Sequence, residues 1–117
     1  MRIYYYIKYK FMKQREFTDQ QRQLAVVTKA LSHPARVAVL EFLATEQDSC
    51  YFGILEEMIP LSKATLSQHL AELKEAGFLT GEPEGTKVRY SINREMWQAS
   101  QKLLGDFFAN IMYKRIH

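Results

Sequence analysis

Between residues 61 and 79 the chain reads LSKATLSQHLAELKEAGFL, and its leucines recur at the spacing of one helix face. At 100° per residue, Leu66, Leu70 and Leu73 fall within about 60° of one another, which predicts a single buried stripe. Ser62 has the chemistry of an N-cap, and Gly77 suits the position just past the helix end. The same period runs upstream. TDQQ, from Thr18 to Gln21, reads as a capping box, and Leu24, Val27, Thr28 and Leu31 follow at helical spacing. SHPAR breaks that helix and starts a second, with Pro34 in its first turn, where a missing N–H costs nothing. Val37, Leu40 and Ala44, with Leu43 alongside, are expected to line its inner face, and polar TEQDS ends it. YFGILEEMI predicts a short third helix over Phe52 to Met58, stopped by Pro60.

After Gly77 the period changes from helical to alternating. FLTGE and TKVRYSI read as two strands joined across PEG. In the second strand Val88, Tyr90 and Ile92 point one way, and Lys87, Arg89 and Ser91 the other. A last helix is expected from about Arg94 to about Tyr113, with an unusually wide apolar stripe that includes Met96, Trp97, Leu103, Leu104, Phe107, Phe108, Ile111 and Met112. The order helix, helix, helix, helix, strand, strand, helix predicts a mainly α fold with a small β-hairpin, a winged helix-turn-helix. Residues 1–17 are read as a basic aromatic arm, and residues 18–117 as the winged-helix domain.

At 117 residues the chain suits one domain, and its 47% apolar and 25% charged composition is ordinary for a globular protein. No apolar run is long enough to span a bilayer. Lysines interrupt the N-terminal segment too early for a signal-peptide core, and the single cysteine, Cys50, fits a reducing compartment, so the expected location is the cytoplasm. The net charge of +3 is unevenly placed: residues 1–15 carry Arg2, Lys8, Lys10, Lys13 and Arg15 and no acid, leaving 11 bases against 13 acids in the other 102 residues. Overall charge therefore does not argue that the folded body binds nucleic acid; local placement has to. For the arm, three readings stand open: an upstream start codon with Met12 as the true beginning, an ordered packing extension, or a basic arm reaching a DNA groove.

The outward face of the fourth helix carries the chemistry. Opposite its leucines lie Ala64, Gln68, Ala71 and Glu75, flanked by Thr65 and Ser67. Its first half is small, neutral and capable of hydrogen bonding, as entry into a major groove requires. Gln68 can contact adenine with two hydrogen bonds, and Thr65 can meet a thymine methyl or a phosphate. Ser62, the free N–H groups of the first turn and Lys63 can hold a phosphate. Glu72 and Glu75 fall in the second half, away from an inserted N-terminal end. Lys87 and Arg89 suit backbone contact from the wing, whereas Glu82 and Glu84 near its tip argue against deep entry into the minor groove. Taken alone, the same helix also fits an ordinary amphipathic helix with a polar outside.

LSHPAR, PLSKATLSQHLAELKEAGFL and EGTKVRYSI together resemble the ArsR/SmtB family of bacterial winged-helix repressors, over about Thr18 to Phe108. The resemblance implies a homodimer joined through the first and last helices, a two-fold operator, and derepression, often by a metal ion. Candidate interface residues are Leu24 and Leu31 on the first helix and Trp97, Leu104, Phe108 and Ile111 on the last. The thiol-type metal site of the family uses a Cys-x-Cys pair, and here Cys50 is followed at the second position by Phe52. The carboxylate–histidine site on the last helix finds Asp106 and no histidine before His117. His33 reads as a helix-start residue, and His69 as a residue that packs or meets DNA. No cofactor is expected, and a metal effector is disfavoured. For Cys50 the reading as a small hydrophobe outweighs that of a redox or persulfide sensor.

The function expected is a sequence-specific DNA-binding transcriptional regulator, a repressor acting as a homodimer on a palindromic operator. DNA-facing residues are Ser62, Lys63, Ala64, Thr65, Ser67, Gln68, His69, Lys87 and Arg89. The alternative is a winged helix used for protein–protein contact without DNA. No nucleophile–base constellation, glycine-rich phosphate loop or paired carboxylates suggest an enzyme.

Overall fold

Thr18 opens the first helix as the capping box read in TDQQ predicts: its hydroxyl accepts from the Gln21 N–H at 3.1 Å, and the Gln21 side chain accepts from the Thr18 N–H at 3.0 Å. These details come from a computed structural model that describes residues 17–45 and 49–116, so the questions raised about the N-terminal arm lie outside the described residues. The elements in order are α1 (Asp19–Ala30), α2 (Pro34–Thr45), β1 (Ser49–Tyr51), α3 (Phe52–Met58), α4 (Lys63–Glu75), β2 (Leu79–Glu84), β3 (Lys87–Ile92) and α5 (Arg94–Ile116). Among the described residues, no helix is long and apolar enough to cross a membrane.

The core gathers one face of each helix around the root of a small sheet. Leu66, Leu70 and Leu73 of α4 are buried, as their spacing requires, together with Leu55 of α3, Val27 and Ala30 of α1, and Phe78 and Leu79 beyond α4. Burying each leucine stabilises the fold by about 1.5–3 kcal/mol relative to leaving it in water. In α2 the buried residues are Ala35, Val39, Leu40 and Leu43, while Val37 and Ala44 face outward. Leu40 and Leu43 of the expected face are inside, while Ala35 and Val39 take the places expected for Val37 and Ala44. PARVAVLEFLAT is apolar almost all round, so its periodicity does not single out an inner face.

The sheet has three strands in the order β1-β3-β2, all antiparallel. The additional strand, Ser49–Tyr51, pairs Cys50 with Tyr90 and Tyr51 with Arg89. Three residues are too few for a period-two signal, and this strand lies next to a segment whose sequence reads as the polar end of a helix. Strand β2 continues through Pro83 to Glu84, further than the sequence suggests, and the turn is Gly85–Thr86. Proline is tolerated there because β2 is an edge strand. Gly85 has φ +63° while no non-glycine residue has positive φ, the pattern of a two-residue turn with glycine first. Because β3 is central, both of its faces are partly covered, and its residues from Val88 to Ile92 are all half-buried instead of alternating in exposure.

Candidate nucleic-acid interface

The fourth helix is set by its two ends. At the first, the Ser62 hydroxyl accepts from the Thr65 N–H at 3.3 Å and donates to Thr65 Oγ1 at 2.9 Å. At the last, the Gly77 N–H donates to the Lys74 carbonyl and the Phe78 N–H to the Leu73 carbonyl, both at 3.0 Å. Gly77 takes φ +92°, the left-handed residue this double closure needs. Between these ends the leucine stripe fastens the helix to the core. Ser62, Lys63, Ala64, Ser67 and Gln68 are exposed and Thr65 is half-exposed, so these six residues share an accessible surface.

His69 departs from the set expected to face DNA. It is buried, at 9% exposure, and its Nδ1 accepts from Arg36 Nε at 3.1 Å. The Arg36 guanidinium also donates to the Lys29 carbonyl at the end of α1, at 2.9 Å. The His33 ring stacks on His69 with centroids 4.2 Å apart, and His33 Nδ1 accepts from the Ala35 N–H, capping α2. His69 thus ties α4 to α1 and α2 and is unavailable to a groove. Burial lowers its pKa below the ordinary 6.5, and the His33 and Arg36 charges act in the same direction, against a smaller pull from Glu72.

The wing stands beside the outward face of α4. A groove of about 310 Å³ between them is lined by Lys63 and Ser67 of the helix, Thr86, Lys87, Val88 and Tyr90 of the wing, and Tyr51 and Phe52. Lys63 Nζ lies 6.0 Å from the Phe52 ring centre and Lys87 Nζ 5.1 Å from that of Tyr51, so aromatic rings sit under both ammonium groups. Arg89 is differently placed. Its guanidinium lies 4.4 Å from the Tyr51 ring centre and donates to Glu84 Oε2 at 2.5 Å, Tyr51 Oη at 2.6 Å and Ser49 Oγ at 3.1 Å. The Tyr51 hydroxyl in turn donates to Glu84 Oε1 at 3.0 Å. Sequence reasoning missed this cluster because it depends on β1; the signal available was an aromatic residue next to Cys50 with no partner assigned.

On the other side of the molecule, Trp97, Phe108 and Ile111 of α5 are exposed, with Phe107 and Met112. Leu24, Leu31 and Leu104 are half-buried, and Leu31 and Leu104 pack on the core. Cys50 is buried at 3% exposure, and burial pushes its thiol up from the ordinary 9.0 against the pull of the Arg89 charge. A thiol held protonated inside the sheet root is a poor nucleophile and a poor metal ligand. With Phe52 at the second position, the residues present do not fit a paired-thiolate metal site. Among the described residues, no three His, Cys, Asp or Glu side chains converge on one point.

The profile described as "Bacterial regulatory protein, arsR family" matches residues 33–80, from the His33 cap to the start of the wing. The HTH-type transcriptional regulator YgaV of Escherichia coli is 33% identical over 73 residues, 62% of this chain and 73% of that one. The arsenical resistance operon repressor of Staphylococcus xylosus is 31% identical over 74 residues, 63% of this chain and 69% of the other. Among solved structures, the transcriptional repressor BigR from Xylella fastidiosa superposes with a TM-score of 0.60 at 26% identity, over 86% of this chain and 93% of that one.

Proposed function

The chain belongs to the arsR family of bacterial regulatory proteins, whose members are DNA-binding transcription regulators and not enzymes, and on that footing we propose that it is a sequence-specific repressor acting as a homodimer on a palindromic operator. The observation that carries this reading is the start of α4. Ser62, Lys63, Ala64, Ser67 and Gln68 stand in solvent on a helix whose opposite side is anchored by three fully buried leucines. Such a surface can enter a major groove by its N-terminal end without an acidic or bulky apolar side chain in the way. Gln68 reads a base edge, Thr65 and Ser67 supply further polar contacts, and Ser62 with Lys63 holds a phosphate at the helix start. Lys87 contacts the backbone from the wing. Repression is the role carried in the names of two relatives, while a third, HlyU of Vibrio cholerae, is named a transcriptional activator.

The homodimer is supported by the apolar side of α5. Phe108 is 65% exposed and Met112 53%, with Phe107 and Ile111 beside them and Trp97 about three turns earlier, apolar surface that a lone domain leaves in water. Two copies joined there present two α4 helices, and a two-fold protein matches a two-fold operator.

The test is a fluorescence anisotropy titration of the full chain on the DNA upstream of its own gene and on a shuffled duplex, at two salt concentrations. A repressor of this kind prefers the natural sequence and loses affinity steeply with salt. Equal weak binding to both duplexes, without a salt slope, would instead favour a winged helix that contacts only protein. Gln68→Ala is expected to cost about 1–3 kcal/mol on the preferred site and to relax base choice at one position per half-site. Equal loss on every sequence would remove Gln68 from base reading.

A further inference from the structure

Four charged side chains meet on the wing. Glu82 lies opposite Arg89 and Glu84 opposite Lys87 in the β2–β3 register. The side chains do not follow that register: Glu84 reaches diagonally to Arg89, at 2.5 Å, and the Tyr51 hydroxyl bridges the two. Arg89 therefore spends Nε on Glu84, one N–H on Tyr51 and one on Ser49, and its plane rests against the Tyr51 ring. Lys87 has no carboxylate within ion-pair distance among the described residues. Of the two wing cations expected to meet DNA, one is open and one is already occupied.

The geometry points to Glu84 as a gate on DNA affinity: its carboxylate holds the Arg89 guanidinium against Tyr51 in the free protein, and a backbone phosphate recruits Arg89 only by displacing it. This rests on the DNA-binding reading above. A carboxylate and a phosphate are competing ligands for the same guanidinium fork. The pair lies where a phosphate can reach it, since the Arg89 side chain is 36% exposed and that of Glu84 42%. The hydrogen bond from Arg89, then that from Tyr51, holds the Glu84 carboxyl below its ordinary 4.5, which favours the charged, bound carboxylate. Exchange leaves the guanidinium paired before and after, so the wing gains less from any phosphate than a free arginine would. The penalty falls on every DNA sequence alike. Binding that rests on phosphates alone is weakened, while a site that α4 reads directly has other contacts to overcome it. Glu84 in this sense sets the overall affinity of the wing for DNA and leaves the preference between sequences to α4.

The experiment compares wild type, Glu84→Gln, Arg89→Ala and the double variant by anisotropy on a labelled duplex of shuffled sequence across a range of salt. Glu84→Gln is expected to bind about two- to five-fold tighter, the worth of one exposed ion pair. Its log–log salt slope should steepen by about 0.9, one additional phosphate contact. In the Arg89→Ala background the same change should bring little gain. Tyr51→Phe, which removes the hydroxyl holding both partners, should shift affinity the same way by a smaller factor. An equal gain with and without Arg89 would mean that Glu84 only repels DNA, and would overturn the gate. Weaker binding by Glu84→Gln would overturn it too, since Glu84 would then be aligning Arg89 on the DNA. If wild type bound no duplex at all, the DNA-binding reading would fall first; wild-type binding with an unchanged Glu84→Gln would sink the gate alone.

Discussion

His69 shows how a residue of α4 can matter without lying on its exposed face. Arg36 donates to its Nδ1, so the neutral ring carries its proton on Nε2, and a second proton would place a donor against a donor. Its folded pKa lies below 6.5, so the unfolded chain binds more protons as pH falls through that value. Stability from neutral His69 is then complete above about pH 6.5, declines below it, and is gone once pH passes below the folded pKa. His69→Asn keeps an acceptor for Arg36 and removes the titration. Urea unfolding at about pH 7.5 and about pH 5.5 should show a smaller acid loss in the variant than in wild type. Equal losses would show that His69 titrates alike in both states.

At the scale of elements, the close of α4 depends on one residue. Gly77 sits at φ +92°, and a Cβ there would meet the Met96 side chain at an ordinary 3.8 Å. The cost of Gly77→Ala is therefore conformational and not steric, and about 1–2 kcal/mol of stability should be lost in thermal or denaturant unfolding. Gly77→Asn should lose less, because asparagine enters the left-handed region more readily; an equal loss for both would point to packing. This element was legible in the sequence at both ends and along its leucine face, since caps and periodicity are local signals. The face of α2 was not, because an all-apolar helix carries no phase. Strand β1 was not either, because three residues owe their conformation to β3, forty residues away in sequence. The inward turn of His69 and the occupation of Arg89 by Glu84 are likewise tertiary facts: each partner is ordinary alone, and the pairing arises from contacts 33 and 5 residues apart in the chain.

For the whole molecule, Phe108 is the natural probe of the proposed pairing of two copies. At 65% exposure it contributes little to the fold of one chain, so Phe108→Glu should keep the helical circular-dichroism signal of the folded domain while giving monomers in sedimentation velocity. A dimer that persists would place the interface elsewhere. The closure of α4 has a further consequence at this scale. Phe78 is buried one residue after Gly77, its carbonyl accepts from the Asn93 N–H at 2.8 Å, and Leu79 already belongs to β2. The connector has no slack, so helix and hairpin form a single caliper with a fixed jaw. In the proposed complex, the distance within one half-site from the bases under Gln68 to the phosphates under Lys87 is then set by the fold. On that proposal, DNA sites that differ in half-site separation would be accommodated between the two copies or by bending the duplex.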